Sequence, residues 1–192
     1  MHPVDVESTL KTMVVWTDTR EQPTERAKKR YETLGVPHER HKLDFGDYTA
    51  AFTLPDGSVF SLENVAVIER KLGYSELCSC YTHDRKRFTR EFERAREAGA
   101  KVYLLVENST WEMAYAGKYR SKMQPKSLIA SMLAWLARYD CQIIMCREET
   151  SGKLIHDILY REGKELLERV ETDGRTQILD KTEPKHPRLG VV

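Results

Sequence analysis

Residues 65–71 read Val-Ala-Val-Ile-Glu-Arg-Lys, an apolar run that ends in an acid, an arginine and a lysine. Because successive side chains of a β-strand point to opposite faces, Glu69 and Lys71 share one face while Ile68 and Arg70 share the other. A carboxylate and an ammonium group at the end of a buried strand are costly unless they are paired or used. A divalent cation would give the acid a partner, and the lysine would then orient a water molecule or stabilise a phosphate. The stretch therefore predicts a buried strand that carries a hydrolytic site.

Further strands and helices are predicted around this stretch from hydrophobic periodicity and from Pro, Gly and capping residues. The predicted strands are 13–17, 38–44, 49–54, 59–62, 101–107 and 141–146, and a turn at 55–58 joins two of them into a hairpin. The predicted helices are 23–34, 74–81, one between Asp84 and Gly99, 111–116, one from Pro125 through Leu136, and one from Thr150 or Ser151 to Val170.

The order of these elements predicts the fold class. Strands and helices alternate along the chain, which is typical of a single α/β domain with a mixed β-sheet flanked by helices on both faces. We assign the folded domain to residues 13–170. Residues 1–12 are expected to form a flexible N-terminus, and residues 171–192 a polar tail.

The composition is that of an ordinary globular domain, with 192 residues of which 40% are hydrophobic and 32% are charged. No run of about 18 apolar residues occurs, so no membrane-spanning segment is expected. The first residues lack the layout of a secretory signal, which leads us to expect a cytoplasmic protein. The net charge of +1 neither supports nor excludes a nucleic-acid partner.

The four cysteines do not follow a metal-binding pattern. They stand at positions 78, 80, 141 and 146, without the usual C-x₂-C spacing and without a histidine at ligand distance in the sequence. We expect reduced, buried thiols rather than a zinc site, and no small-molecule cofactor.

Acidic residues follow three of the predicted strands: Asp18 and Glu21, then Asp47, then Glu69. In an open α/β sheet the strand ends gather at one edge, where ligands bind. Carboxylates that converge there repel each other, which raises the pKa of a carboxyl group or recruits a hard cation. A site with oxygen ligands alone favours Mg²⁺ or Mn²⁺ over zinc. Taken singly, each residue has another interpretation. Asp47 could be a turn residue, and Glu69 could form a surface ion pair with Lys71 on an edge strand.

Three ordered motifs give the sequence a family resemblance. Residues 17–21 read TDTRE, residues 43–48 read LDFGDY and residues 68–71 read IERK. This series resembles the nuclease domain of xeroderma pigmentosum group F-type structure-specific endonucleases, whose pattern runs V-D-x-R-E, then G-D-Y, then E-R-K-x₃-D. The motifs lie within residues 14–108, and the remainder looks like small stand-alone members from bacteria and their phages.

The resemblance implies a restriction-endonuclease-like fold and metal-dependent cleavage of DNA phosphodiester bonds, in repair, recombination or phage DNA processing. Asp47 and Glu69 would be the principal metal ligands, with Mg²⁺ or Mn²⁺ as the cofactor. Lys71 would position the attacking water and stabilise charge in the transition state.

The first motif and the arginines receive supporting roles from the same resemblance. Asp18 and Glu21 would complete the metal site or lie just behind its ligands. Arg20 and Arg70 would hold the acids in place or contact phosphate.

The sequence departs from the family pattern at two points. The acid three residues beyond E-R-K falls on Ser75, and Glu76 is the nearest carboxylate. The tandem helix-hairpin-helix module by which larger relatives grip branched DNA does not follow the predicted domain. The shape of the DNA that is cut is therefore left open.

Two groups of basic residues are candidates for DNA contact. Arg85 and Arg87 open the helix after Asp84, where the sequence resembles a further family element, G-R-x-F. Lys118, Arg120 and Lys122 surround an aromatic residue in a predicted loop, a combination suited to phosphates and to an unstacked base. The alternative for both groups is an ordinary solvated surface.

Alternatives also remain for the last helix and for the function. The apolar face of this helix could cover the sheet or form the interface of a homodimer. A non-catalytic DNA-binding or scaffold module of the same fold is the competing function, and RNA is a further candidate substrate. Retention of the acids and the lysine favours the enzyme.

Overall fold

The computed structural model describes the chain from Pro3 to Asp173. The helices are α1 (Pro3–Leu10), α2 (Glu25–Leu34), α3 (Tyr74–Tyr81), α4 (Arg85–Ala98), α5 (Trp111–Tyr115), α6 (Pro125–Tyr139) and α7 (Glu148–Asp173). The strands are β1 (Val14–Asp18), β2 (His38–His41), β3 (Tyr48–Thr53), β4 (Val59–Ser61), β5 (Ala66–Lys71), β6 (Lys101–Glu107) and β7 (Gln142–Cys146).

The strands form one mixed sheet in the order β2-β1-β3-β5-β6-β7, and β4 pairs with β3 as the predicted hairpin. β1 runs parallel to β2, and β5, β6 and β7 are parallel to one another, whereas β3 is antiparallel to both β1 and β5. The predicted strand 65–71 is therefore an interior strand. Its interior position places the acid and the lysine at its end close to the ends of β1 and β3.

Helices cover both faces of the sheet, and β5 contributes to both layers. Val67 packs into a core with α3, α4 and α6, where Phe88, Phe92 and Trp135 form an aromatic cluster. Ile68 packs into the opposite core with α1 and α7. A strand buried on both faces needs apolar residues at successive positions, which explains the continuous run Ala66–Ile68.

Several boundaries follow from local signals. Thr24 caps α2 by accepting a hydrogen bond from the amide of Ala27, and Gly35 ends that helix in the left-handed conformation. The structure shortens the predicted second strand to β2. It also starts the last helix at Glu148, so the predicted cap at Thr150 or Ser151 is wrong.

Part of the N-terminal segment that was expected to be flexible forms the helix α1 in the structure. α1 packs against α7 and β3, and the side chains of Val6 and Leu10 are buried in the α7-side core. An eight-residue helix gives too short a pattern for sequence periodicity to detect. At the other end, α7 continues to Asp173, and the rest of the predicted tail, residues 174–192, lies outside the described residues.

α7 covers the sheet rather than leaving its apolar face open. Ile155, Leu159 and Leu167 are fully buried against the sheet and its neighbours. Gly152 lies so close to α2 that an added Cβ would meet the carbonyl oxygen of Arg30 at 2.2 Å, and Gly163 lies against the ring of Phe52. Of the two interpretations of the last helix, the structure shows the first.

A separate finding concerns membranes. Between Pro3 and Asp173, none of the helices combines the length and the apolar character that crossing a bilayer requires.

Candidate active site

Asp47 is brought to the end of β5 by the glycine before it. Gly46 has a φ of 74°, and a Cβ at this position would lie 2.9 Å from the Cβ of Val67. Only glycine allows the chain this left-handed turn and this close approach. As a result the amide of Asp47 donates to the carbonyl of Ile68 at 2.8 Å, and the Oδ2 atom of Asp47 accepts from the amide of Arg70 at 2.7 Å.

Glu69 and Lys71 lie on the same face of β5, as the alternation predicts, and form an ion pair with Nζ 2.5 Å from Oε1. The pair is not a surface feature on an edge strand, because β5 lies between β3 and β6 and the two residues are only 4% and 8% exposed. Lys71 also lies over the ring of Phe88, 5.5 Å from its centroid. The helix α4 therefore forms the wall of the site opposite the strand.

The electrostatics of this corner are dominated by burial and by the close carboxylates. Burial, followed by the negative charge of Glu69, raises the pKa of Asp47 to about 7. Burial also raises the pKa of Glu69, although the Lys71 ammonium opposes this. For Lys71, burial alone would lower the pKa, but Glu69 and Asp47 outweigh it and raise the pKa above its usual value. Lys71 is therefore a permanent cation beside acids that would gain from a further positive charge.

The departure from the family pattern at Ser75 has a structural counterpart. Glu76, the nearest carboxylate, lies 3.7 Å from the Nζ of Lys71 and accepts a hydrogen bond from the amide of Leu72 at 2.8 Å. Glu76 thus reaches Lys71 from the first turn of α3. Its position is that of a partner for Lys71.

Asp18 is almost completely buried, and both of its carboxylate oxygens accept hydrogen bonds. Oδ1 accepts from the amide and the Nε of Arg20 at 2.7 and 2.6 Å, and Oδ2 accepts from the amide of Leu43 at 2.9 Å. Although burial opposes it, these hydrogen bonds hold the pKa of Asp18 below its usual value. Through Leu43, Asp18 holds the loop before Asp47 in place. Metal ligation by Asp18 stays a prediction, and it is not favoured because both carboxylate oxygens already accept hydrogen bonds.

Arg20 lies at the rim of the site. Besides Asp18, its guanidinium contacts Glu91 of α4 at 3.3 Å and the carbonyl of Leu43 at 3.4 Å. Its side chain is 56% exposed. The residue therefore links β1 to α4 and keeps part of its guanidinium accessible.

Glu21 points away from Asp47 and Glu69, into a buried polar network on the other face of the sheet. Its Oε1 atom accepts from the hydroxyl of Tyr48 at 2.7 Å and lies 3.3 Å from Arg70 and 3.4 Å from Arg30. Metal ligation by Glu21, like that by Asp18, stays a prediction without support from these contacts.

Glu107 completes this network from the end of β6. Its two oxygens contact the Nε of Arg30 and the Nη1 of Arg70, each at 3.2 Å, and the side chain is 0% exposed. The network therefore balances two carboxylates against two guanidinium groups. Arg70 faces this network and not the Glu69–Lys71 side, so contact of its guanidinium with the same phosphate as Lys71 is not supported.

Sequence reasoning missed Arg30, Glu107 and the position of Glu91. A signal existed for the first two. Arg30 stands between Ala27 and Leu34 on the buried face of α2, and Glu107 ends the apolar run of β6 as Glu69 ends that of β5. A charged residue on an apolar face indicates a buried partner. The identity of that partner required the fold, because 77 positions separate Arg30 from Glu107.

The two predicted DNA-contacting groups are placed differently. Arg85 lies over the ring of Trp135, 5.9 Å from its centroid, and Arg87 forms a loose pair with Asp84 at 3.9 Å. Lys118, Arg120 and Lys122 lie exposed in the loop between α5 and α6. Within the described part of the chain, none of these three lysine and arginine side chains has a hydrogen-bond or ion-pair partner.

The two carboxylates of Asp47 and Glu69 fit Mg²⁺ better than a metal that needs three or more protein ligands. Among residues Pro3 to Asp173, no group of three or more His, Cys, Asp or Glu side chains is placed to hold a metal ion. Asp47 and Glu69 each use one oxygen internally, and within the same residues the second oxygen of each has no hydrogen-bond partner. Mg²⁺ is commonly bound through one or two carboxylates, with water and substrate oxygens as the other ligands.

Comparison with known proteins identifies the family of this domain. The model of the ERCC4 domain matches residues 17–158. No curated protein matches the sequence of this chain significantly.

Two solved structures share the fold. "XPF from Aeropyrum pernix" has 21% sequence identity and a TM-score of 0.57, covering 83% of this chain and 69% of that chain. "XPF from Aeropyrum pernix, complex with DNA" has 22% identity and a TM-score of 0.54, covering 85% and 67%. The family resemblance and the expected restriction-endonuclease-like fold, with a mixed sheet between helices, are confirmed.

Proposed function

Since the chain belongs to the ERCC4 domain family, whose members are endonucleases, we propose that it is a metal-dependent endonuclease that hydrolyses DNA phosphodiester bonds. The observation that carries this proposal is the convergence of Asp47 with the buried Glu69–Lys71 pair at the end of β5. Burial raises the pKa of both carboxyl groups, and a bound cation would offset the cost of ionising them.

Asp47 and Glu69 would hold Mg²⁺ or Mn²⁺ through their second oxygens. When bound, such an ion polarises a phosphoryl oxygen and acidifies a coordinated water. Asp18 and Arg20 act at a distance, by fixing the loop that carries Asp47.

Lys71 contributes charge. Because its pKa is raised, it remains an ammonium group and does not serve as a base. Held by Glu69 and Glu76, it is fixed in orientation and donates hydrogen bonds to a water or to a phosphate oxygen. Negative charge that develops on the phosphate during attack is stabilised by such a fixed cation in a poorly hydrated site.

DNA would approach across the surface that carries Arg20, Arg85 and the loop 118–122. The cations of this loop lack internal partners among the described residues, so binding phosphate costs no existing ion pair there. "XPF from Aeropyrum pernix, complex with DNA", which has a similar fold, binds DNA. We place the activity in the cytoplasm, because the four cysteines are free and three of them are buried. A homodimer would need a surface other than the apolar residues of α7 that pack on the sheet.

The proposal is tested with linear, flap, fork and four-way-junction DNAs, and with RNA of matching sequence. Cleavage is expected with Mg²⁺ or Mn²⁺ and should disappear with EDTA, since the carboxylates alone cannot activate water. No cleavage of any substrate with either metal, together with retained DNA binding, would indicate the non-catalytic binding module instead.

Metal binding should depend on pH through Asp47. A pKa raised from 3.8 to about 7 means that the folded state holds this proton more tightly than the unfolded state. The resulting stabilisation is complete below about pH 4 and is lost as the pH rises through 7. Because Mg²⁺ competes with the proton, we expect Mg²⁺ to raise the unfolding temperature more at pH 8 than at pH 6. Thermal unfolding measures this, and Asp47→Asn should remove the difference. An equal Mg²⁺ effect at both pH values would contradict the prediction.

A further inference from the structure

A cavity of about 280 Å³ lies beside the catalytic lysine, at the ends of β5 and β6. Its walls are the chain that follows Lys71, the first turn of α3, the turn after β6 and the loop between α5 and α6. Glu76 belongs both to this wall and to the surroundings of Lys71, since it lies 3.7 Å from the lysine ammonium. The cavity and the proposed active site are therefore neighbours that share Glu76.

The apolar side of the cavity is aromatic and fixed. Tyr119 and Met113 line it together with Tyr74, and the rings of Tyr119 and Tyr74 meet edge to face with centroids 5.7 Å apart. The hydroxyl of Tyr119 donates to the carbonyl of Met123 at 2.9 Å, and that of Tyr74 donates to the carbonyl of Thr110 at 2.7 Å. Both rings are thus held in place before any ligand arrives.

The polar side of the cavity has hydrogen-bond acceptors in its wall and the cation of Lys118 at its exposed edge. Glu76 contributes a carboxylate, whereas the Asn108 amide and the Ser109 hydroxyl, which also line the cavity, are hydrogen-bonded to Glu148 and to the carbonyl of Glu107. Lys118 lies exposed on the lining, and within the described residues its ammonium has no partner. A ligand that fits this arrangement has a flat apolar body, a hydrogen-bond-donating edge and a negative group attached outside.

We propose that the cavity receives one unpaired nucleobase of the DNA strand that is cut. The partly exposed ring of Tyr119 would stack on the base, the Glu76 carboxylate would accept from the exocyclic amino group of cytosine or adenine, and Lys118 would contact the phosphate of the same nucleotide. The volume lies just below the range of about 300–1,000 Å³ found for drug-sized ligands, which suits a single base. The inference rests on the proposed function, because it identifies the strand entering the cavity as the substrate.

The cavity would make the enzyme favour DNA with unpaired nucleotides beside the cleaved bond. A base within a duplex is stacked and paired, and it must leave the helix before it can enter a pocket. A base that is already unpaired avoids this cost. The preference would then be set by this domain itself.

Two substitutions on α3 test the cavity. Ser75 lines it, whereas Ser79, one helical turn further on, is also exposed and does not line it. Ser75→Phe would fill the cavity, and Ser79→Phe is the matched control. Binding is measured by fluorescence anisotropy in EDTA, with forked duplexes whose unpaired arms carry either cytosine nucleotides or abasic nucleotides. EDTA prevents cleavage, so the result does not depend on catalysis. Thermal unfolding of both variants checks that they fold.

For the wild type and for Ser79→Phe, we expect removal of the bases to weaken binding about tenfold, as stacking of a base on an aromatic side chain would predict. For Ser75→Phe, the cytosine and abasic forks should bind equally, at the lower affinity. A loss that is equally large on both forks, or no loss at all, would overturn the inference. If Ser75→Phe abolishes the preference for cytosine arms but the wild type never cleaves with metal, the cavity stands and the proposed function fails. If the wild type cleaves with metal and Ser75→Phe binds both forks as the wild type does, the proposed function stands and the cavity inference fails.

Discussion

Lys71→Met is expected to lower metal-dependent DNA cleavage at least about a hundredfold, which is the usual effect of removing one fixed electrostatic group from a reaction centre. Methionine keeps most of the apolar length of lysine, but it removes the ammonium that lies over the ring of Phe88 and faces Glu69 and Glu76. Single-turnover cleavage of a preferred substrate measures the loss. Lys29→Met, an exposed lysine on α2, is the control and should cleave at the wild-type rate.

The same variant should reveal the repulsion among the acids. Without the ammonium, Asp47 and Glu69 are buried together, so their pKa values rise further and their ionisation destabilises the fold. We expect Lys71→Met to be close to wild-type stability at pH 5 and clearly less stable at pH 8, as measured by chemical denaturation. Loss of stability that does not change with pH would contradict this account, and unchanged cleavage would remove Lys71 from the mechanism.

Glu107→Ala is expected to destabilise the protein by about 3–5 kcal/mol, because it leaves buried guanidinium groups without a carboxylate partner. Arg30 loses its contact at 3.2 Å and Arg70 loses another at the same distance, with only Glu21 left to serve both. Cleavage should also fall, since the backbone of Arg70 holds the carboxylate of Asp47. The free energy of unfolding in urea gives the stability, and cleavage by the folded fraction gives the activity.

A double substitution separates charge imbalance from lost packing. Arg30→Met combined with Glu107→Leu removes one charge of each sign, and should cost less stability than the sum of the two single variants. Glu25→Gln breaks an exposed pair with Lys28 at 2.6 Å and should be close to neutral. Additive effects of the two buried substitutions would mean that Arg30 and Glu107 do not act as a pair.

Elements with strong local signals could be predicted from the sequence. The helix Tyr74–Tyr81 and the strand Lys101–Glu107 have the predicted bounds, because an apolar run of the right period is bordered by glycine or a polar turn. The short helix α1 was not predicted, since it packs against α7, which begins only at Glu148.

For the candidate active site, too, local features could be predicted from the sequence and long-range contacts could not. The turn at Gly46-Asp47 and the shared face of Glu69 and Lys71 could be predicted locally, because glycine permits the turn and side chains alternate along a strand. Glu21 was grouped with the metal ligands because it follows β1 closely. Its contacts with Tyr48 and Arg70 lie on the other face of the sheet, which the sequence alone does not state.

The sequence by itself determined which residues carry charge at the strand ends, the order of the three motifs and the shared face of Glu69 and Lys71, since these depend on neighbours within a few positions. Only the tertiary structure decided which carboxylates share the site with Lys71 and which balance Arg30 and Arg70. Those choices depend on residues such as Arg30 and Glu107, which are 77 positions apart and meet only when α2 packs beside the end of β6. Buried charge is tolerated only with a partner at hydrogen-bonding distance, and packing chooses that partner.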